Sequence, residues 1–132
     1  MEIRRGSVYW WNCPEHNRRH IQEGVRPVVV VSNDKCNQFS GVITVVPLST
    51  KVKKPFPQQV AVVLPDGVSF ALCDQVTSIP VEELQRWVCD LHSYQIDQVD
   101  VALAIQMGFV AEEDRPYSLF KRKEVINGAC QG

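Results

Sequence analysis

A mainly β, strongly bent barrel of about five or more strands followed by C-terminal helices is the architecture this sequence predicts. Three observations carry it. Runs of β-branched and aromatic residues crowd residues 1–76, turn residues separate them at short intervals, and an apolar period of three to four residues emerges only after residue 92. The chain has 132 residues, 45% hydrophobic and 22% charged. That is enough to bury one core without disulfide staples, and it excludes disorder along the whole chain.

The elements follow in order. Ser7-Val8-Tyr9-Trp10-Trp11 reads as a first strand after Gly6, and Val28 to Ser32 as a second, its unbroken apolar run suiting a strand buried on both faces. Between them Asn12 to Gly24 is polar, with Pro14 and Gly24 as punctuation, and reads as a long hairpin loop of the kind that carries function. Val42 to Leu48 is a third strand, entered through the Phe39-Ser40-Gly41 turn. Gln59 to Leu64 is a fourth, and Pro65-Asp66-Gly67 turns the chain into a fifth, Ser69 to Val76. Pro80 followed by Val81-Glu82-Glu83-Leu84 predicts a short helix, with carboxylates in its first turn. Ile96, Val99, Ala102 or Leu103, Gln106 and Met107 predict an amphipathic helix from about Ser93 to Phe109, with Gln95, Asp97, Gln98 and Asp100 on its polar face. One domain over 1–111 is expected, and 112–132 reads as a poorly ordered tail.

Composition narrows the setting. The apolar runs are too short to cross a membrane, and the first residues lead into no signal-peptide core, so a cytoplasmic protein without membrane association is expected. Five cysteines with no CxxC pair read as free, mostly buried thiols. Charge is divided along the chain: residues 1–60 hold nine Lys/Arg against four Asp/Glu, and residues 61–132 five against eleven. A surface for a polyanion should therefore come from the first half.

Four segments, in order and in register, resemble the MazF/PemK family of bacterial toxin endoribonucleases. They are Arg5-Gly6-Ser7-Val8-Tyr9-Trp10, Gly24-Val25-Arg26-Pro27 with the strand Val28 to Asp34 behind it, Val45-Val46-Pro47-Leu48-Ser49-Thr50, and Ala71-Leu72-Cys73-Asp74-Gln75-Val76. The resemblance covers about residues 4–110. It implies an SH3-like barrel of the MazF/PemK/CcdB type, normally a homodimer. It also implies cofactor-free cleavage of single-stranded RNA and silencing by a cognate antitoxin whose acidic tail covers the RNA groove, with DNA contacted only through that complex. Two other functions fit the same barrel: a non-enzymatic toxin that binds a topoisomerase, and a binding-only domain with a decayed site.

Metal-free RNA cleavage uses the substrate's own 2′-hydroxyl as nucleophile and leaves a 2′,3′-cyclic phosphate. The protein must accept the 2′ proton, give a proton to the departing 5′ oxygen, and hold charge growing on the phosphate. Arg26 is the family's principal catalytic position; its planar fork suits a transition-state stabiliser and proton donor, and the alternative is a rim ion pair with Asp34 or Glu23. Ser49 aligns with the family's catalytic threonine, although Thr50 follows at once, and either hydroxyl could instead cap a turn. His20 and Asp74 match catalytic positions of one branch of the family, whose arginine two places before the acid is Leu72 here. For Asp74 a backbone hydrogen bond closing the barrel is the alternative, and Gln75 is a candidate for base contact.

Arg18, Arg19, Lys51, Lys53 and Lys54 form the basic part of the chain and, with Trp10, Trp11 and Phe56 as stacking surfaces, a candidate RNA track. If the lysine segment is extended, Lys51 and Lys53 share a side. Of Trp10 and Trp11, alternation places one inside and one outside. Cys13, His16 and His20, with Cys36, offer a zinc-like spacing; without any second paired-ligand pattern, no metal is expected. Removing the chain from residue 115 onward is expected to leave cleavage unaffected.

Overall fold

Seven strands and two helices make up the described part of the chain, which in the computed structural model comprises residues 2–13 and 24–116. The first two strands, β1 (Ser7–Cys13) and β2 (Gly24–Val30), form an antiparallel hairpin whose register runs from Val8 opposite Val29 to Cys13 opposite Gly24. The long loop expected between them falls largely on residues 14–23, outside the described residues. On its other edge β2 pairs with β3 (Val42–Ser49), and β4 (Gln59–Leu64) and β5 (Gly67–Leu72) form a second hairpin closed at Leu64 opposite Gly67. Two further strands, β6 (Thr77–Pro80) and β7 (Leu84–Asp90), complete a curled antiparallel sheet of order β4-β5-β3-β2-β1-β7, with β6 attached to β3.

The curl originates at β3, which serves two partners along one edge. Its first half pairs with β6, Val42 opposite Pro80 to Val45 opposite Thr77, and its end pairs with β5, Leu48 opposite Ala71 and Ser49 opposite Phe70. The chain covers more residues between Ala71 and Thr77 than β3 does between Val45 and Leu48, so the excess leaves the ladder as a 3-10 turn at Cys73–Gln75. The single strand expected over Ser69–Val76 is therefore broken, and Asp74 and Gln75 sit on the bulged turn.

Burial on both faces of β2 follows from its sequence. Val29 packs with Val8, Val46, Leu48, Val60, Val62, Ala71, Leu91, Val99 and Ala102 on one side, while Val28 and Val30 pack with Tyr9, Trp11, Ile43, Val45, Ile79 and Leu84 on the other. The first of these cores is covered by α2 (Ser93–Gln106).

The helices differ from expectation in four respects. The helix expected at Pro80 is only a 3-10 turn, Val81–Glu83, after which the chain becomes β7 and pairs with β1. The open edge of β1 offers a strand ladder to Leu84-Gln85-Arg86-Trp87-Val88-Cys89, and that pairing overrides the helix-start signal. A helix not expected, α1 (Asp34–Phe39), begins where the Asn33 side chain accepts the Cys36 backbone N–H at 2.8 Å; six residues are too few for a period to show. The C-terminal helix stands where expected but ends at Gln106, because Gly108 (φ +77°) donates to Ile105 O at 3.0 Å and Phe109 N–H to Ala104 O at 2.8 Å, a glycine-terminated cap. Gln95, placed on its polar face by the sequence, is 3% exposed.

A tight contact fastens α2 to the sheet. Gly6 has φ +89°, donates to Val30 O at 2.7 Å and accepts from Leu91 N–H at 3.0 Å, and a Cβ there would lie 2.4 Å from Ile96 Cδ1 and 3.0 Å from Ile96 Cγ1. Beside it Arg5 donates to Val31 O at 3.0 Å and pairs with the Asp100 carboxylate of α2. Gly6→Ala combines left-handed strain with overpacking and is expected to lower stability by about 2–4 kcal/mol. Urea unfolding reads this directly, and an unchanged midpoint would show that Ile96 yields at no cost.

Candidate active site

Arg26 and Ser49 reach the same place from neighbouring strands. The β2 to β3 register pairs Val28 with Pro47 and Val30 with Val45, and Arg26 and Ser49 each lie two residues beyond its last pair, toward the same end of the two strands. Both residues are buried, 6% and 5% exposed, and both line one cavity of about 390 Å³. The size suits a small-ligand or single-nucleotide site. Its walls are Trp10 from β1, Val25 and Pro27 from β2, Leu48 from β3, Val88 from β7, and the β4–β5 hairpin with Leu64, Pro65, Asp66, Gly67, Val68 and Ser69. Thr50 and Lys51 complete the rim.

The surroundings tune these groups. Burial pulls the Arg26 guanidinium below its ordinary pKa, with an electrostatic contribution from Cys13 acting the other way. A desolvated guanidinium is still a cation but a stronger acid, and an anion entering the cavity meets it with little intervening water. The Ser49 hydroxyl accepts the Lys51 backbone N–H at 3.1 Å. That is a turn-capping bond, and it uses one lone pair while leaving the hydroxyl proton to be given to a ligand. The cap therefore orients a donor. Thr50, the neighbouring hydroxyl, is exposed at the rim. Arg26 and Lys51 against Asp66 leave the cavity with a surplus of positive charge.

Other residues singled out by the sequence are distributed differently. His20, Arg18 and Arg19 lie outside the described residues, as does His16 of the zinc-like spacing. Asp74 and Gln75 are half-buried on the 3-10 turn and are not among the cavity-lining residues; Asp74 Oδ1 accepts from Gln59 Nε2 at 3.2 Å. Asp34 accepts the backbone N–H of Arg5 at 2.7 Å. The lysine segment is not extended but bends at residues 53 and 54, so alternation does not apply: Lys51 lines the cavity, and Lys53 and Lys54 are exposed beyond it. Trp10 is half-buried in the cavity wall, whereas Trp11 is fully buried and donates to Glu83 Oε1 at 2.9 Å. Among the described cysteines Cys13 and Cys73 are buried and Cys36 and Cys89 half-buried, all four outside any disulfide. Burial first, then Asp74 and Asp100, push the Cys73 thiol up to about 12. The described residues contain no cluster of three or more metal-ligating side chains.

Sequence reasoning missed the contribution of the β4–β5 hairpin. Pro65-Asp66-Gly67 signals a turn, and nothing local says that the turn lines the same cavity as Arg26. That follows from β5 pairing with the end of β3.

Both the sequence and the curled sheet have counterparts in known proteins. Residues 4–107 match the family of PemK-like, MazF-like toxins of type II toxin-antitoxin systems. The chain belongs to this family. Within it, the chain is 32% identical over 114 residues to the Mycobacterium tuberculosis protein Endoribonuclease MazF9, covering 80% of this chain and 96% of that one. The crystal structure of MazF from Deinococcus radiodurans shares the fold of this PemK/MazF chain with a TM-score of 0.70, at 24% identity, over 82% of this chain and 98% of that one. So does an endoribonuclease from Mycobacterial species solved with its cognate antitoxin, with a TM-score of 0.67 at 21% identity, over 80% of this chain and 95% of that one.

Proposed function

We propose that this PemK/MazF-family chain is a toxin that cuts single-stranded RNA at specific sequences, without a metal, by attack of the 2′-hydroxyl to give a 2′,3′-cyclic phosphate. The observation that carries the reading is that Arg26 and Ser49 line one cationic cavity. In this scheme the Arg26 fork holds two oxygens of the scissile phosphate as charge builds on them and supplies a proton toward the leaving 5′ oxygen. Ser49 donates a third hydrogen bond, and Lys51 steers the backbone in. Trp10 offers its face to a base beside the phosphate. His20 remains our candidate for taking the 2′ proton, since a histidine titrates in the right range. Arg18, Arg19, Thr50, Lys53 and Lys54 extend the binding track, and Gln75 is a base contact.

The active form is proposed to be a cytoplasmic homodimer neutralised by a cognate antitoxin, a partnership supported by related chains solved with theirs. Among the described residues no helix is long and apolar enough to cross a membrane. The barrel domain is assigned to 1–111, with 112–132 as an appended tail.

The test is incubation of the pure protein with a long transcript in EDTA, followed by sequencing of the cut ends. Discrete cleavage is expected; intact RNA together with growth arrest in cells would favour a protein-binding toxin. In the same assay Ser49→Ala is expected to slow cleavage by about a hundredfold, the scale of losing one oriented donor to an oxyanion. Thr50→Ala is expected to cost only a few-fold, and the reverse ranking would move the catalytic hydroxyl to Thr50.

A further inference from the structure

Between β3 and β4 the chain carries its three clustered lysines across residues 51–58 with no sheet partner, yet its C-terminal end is pinned from three directions. Phe56 N–H donates to Gln59 Oε1 at 3.1 Å, and Gln59 N–H returns a bond to Phe56 O at 2.9 Å. Cys73 N–H donates to Gln58 O at 3.0 Å. Arg115, beyond α2, donates from Nη1 to Pro57 O at 2.9 Å. The amide of Gln59 is itself held, because its Nε2 donates to Asp74 Oδ1 at 3.2 Å. At the other end of the segment, Ser49 accepts the Lys51 N–H.

We propose that Gln59, oriented by Asp74 and assisted by Arg115, is a positioning residue that sets the 51–58 segment against the RNA. The inference rests on the ribonuclease reading and reassigns Asp74 within it, from the chemistry to the loop that binds substrate. The Gln59 amide serves both tasks at once, accepting the Phe56 N–H with its oxygen while giving a hydrogen to a carboxylate. A free loop would have to be ordered by each incoming RNA, and that entropy cost falls on binding, whereas the phosphodiester held by Arg26 and Ser49 is unaffected once bound. Losing the clamp therefore raises KM and spares kcat.

Kinetics on an RNA oligonucleotide spanning the strongest cut in the transcript decide it. Gln59→Leu and Asp74→Ala are each expected to raise KM about tenfold, as expected for one or two lost hydrogen bonds, with kcat retained, and the pair combined to be no worse than either alone. Asp74→Asn keeps an acceptor at this position and is expected to recover most of the loss. Gln59→Glu sets two carboxylates face to face and is expected to behave like Gln59→Leu. Combined with Asp74→Asn it should regain low KM, because the amide then donates from position 74. Arg115→Ala, an exposed change, is expected to raise KM about threefold, the scale of a single hydrogen bond, so the tail is not neutral from its first residues. Loss of kcat in Asp74→Asn to the level of Arg26→Ala would place the carboxylate in the chemistry and overturn the inference, as would an unchanged KM in Gln59→Leu. Absence of cleavage by the unaltered chain overturns the ribonuclease reading itself, whereas cleavage that ignores Gln59 overturns the clamp alone.

Discussion

Arg26→Ala is expected to abolish RNA cleavage, lowering the rate by about a thousandfold or more, since the proposed mechanism puts this buried guanidinium at the reacting phosphate, where water would not substitute for it. The side chain is 6% exposed and lines the cavity that Ser49 shares. Its burial, which pulls its pKa down, makes it both a better proton donor and a group that gains from meeting an anion. Arg26→Lys separates charge from shape: it keeps a cation but loses the fork, and about a hundredfold loss is expected from losing a bidentate contact. Single-turnover rates in EDTA check both variants, with thermal unfolding alongside to show that the barrel persists. Cleavage by Arg26→Ala within tenfold of the unaltered protein would remove the guanidinium from the mechanism.

Trp11→Ala is expected to cost about 3–5 kcal/mol, the scale of emptying a large buried aromatic. Such a loss takes a large share of the ~5–15 kcal/mol that holds an ordinary domain together. Trp11 is fully buried among Tyr9, Val28, Ile43 and Leu84, and its indole N–H holds Glu83 on the turn that leads into β7. Truncation empties that core and releases the turn. Trp10→Ala should do the reverse, leaving stability within about 1 kcal/mol while weakening RNA binding by about 1–3 kcal/mol, the worth of one stacked base. Urea midpoints and RNA titrations on the two variants check the contrast; equal destabilisation would mean that Trp10 is core as well.

Those two tryptophans show how legible the molecule is. Alternation along Tyr9-Trp10-Trp11 requires one indole in and one out, and the sequence states no more than that. Which one is inside depends on Trp11 facing Leu84 across β1 and β7, a pairing with a partner more than seventy residues away. The same applies to the stretch after Pro80, where local signals favour a helix and the free edge of β1 makes a strand. Asp74 is legible as a polar residue after an apolar run. Its partner Gln59 is not, because neither residue type nor spacing links position 59 to a bulge at 73–75.

Legible from the residues alone is whatever is local or repetitive: the doubly buried β2 in Val28-Val29-Val30, the turns at glycine and proline, and the C-terminal helix. Long-range pairing settles where β3 divides its edge between β5 and β6, and hence that the β4–β5 hairpin lines the cavity of Arg26 and that Asp74 meets Gln59 at the start of β4. The physical reason is that turn chemistry and hydrophobic period act over a few residues. Strand pairing is worth as much as local propensity but joins residues far apart, so it settles contests that neighbours along the chain leave open.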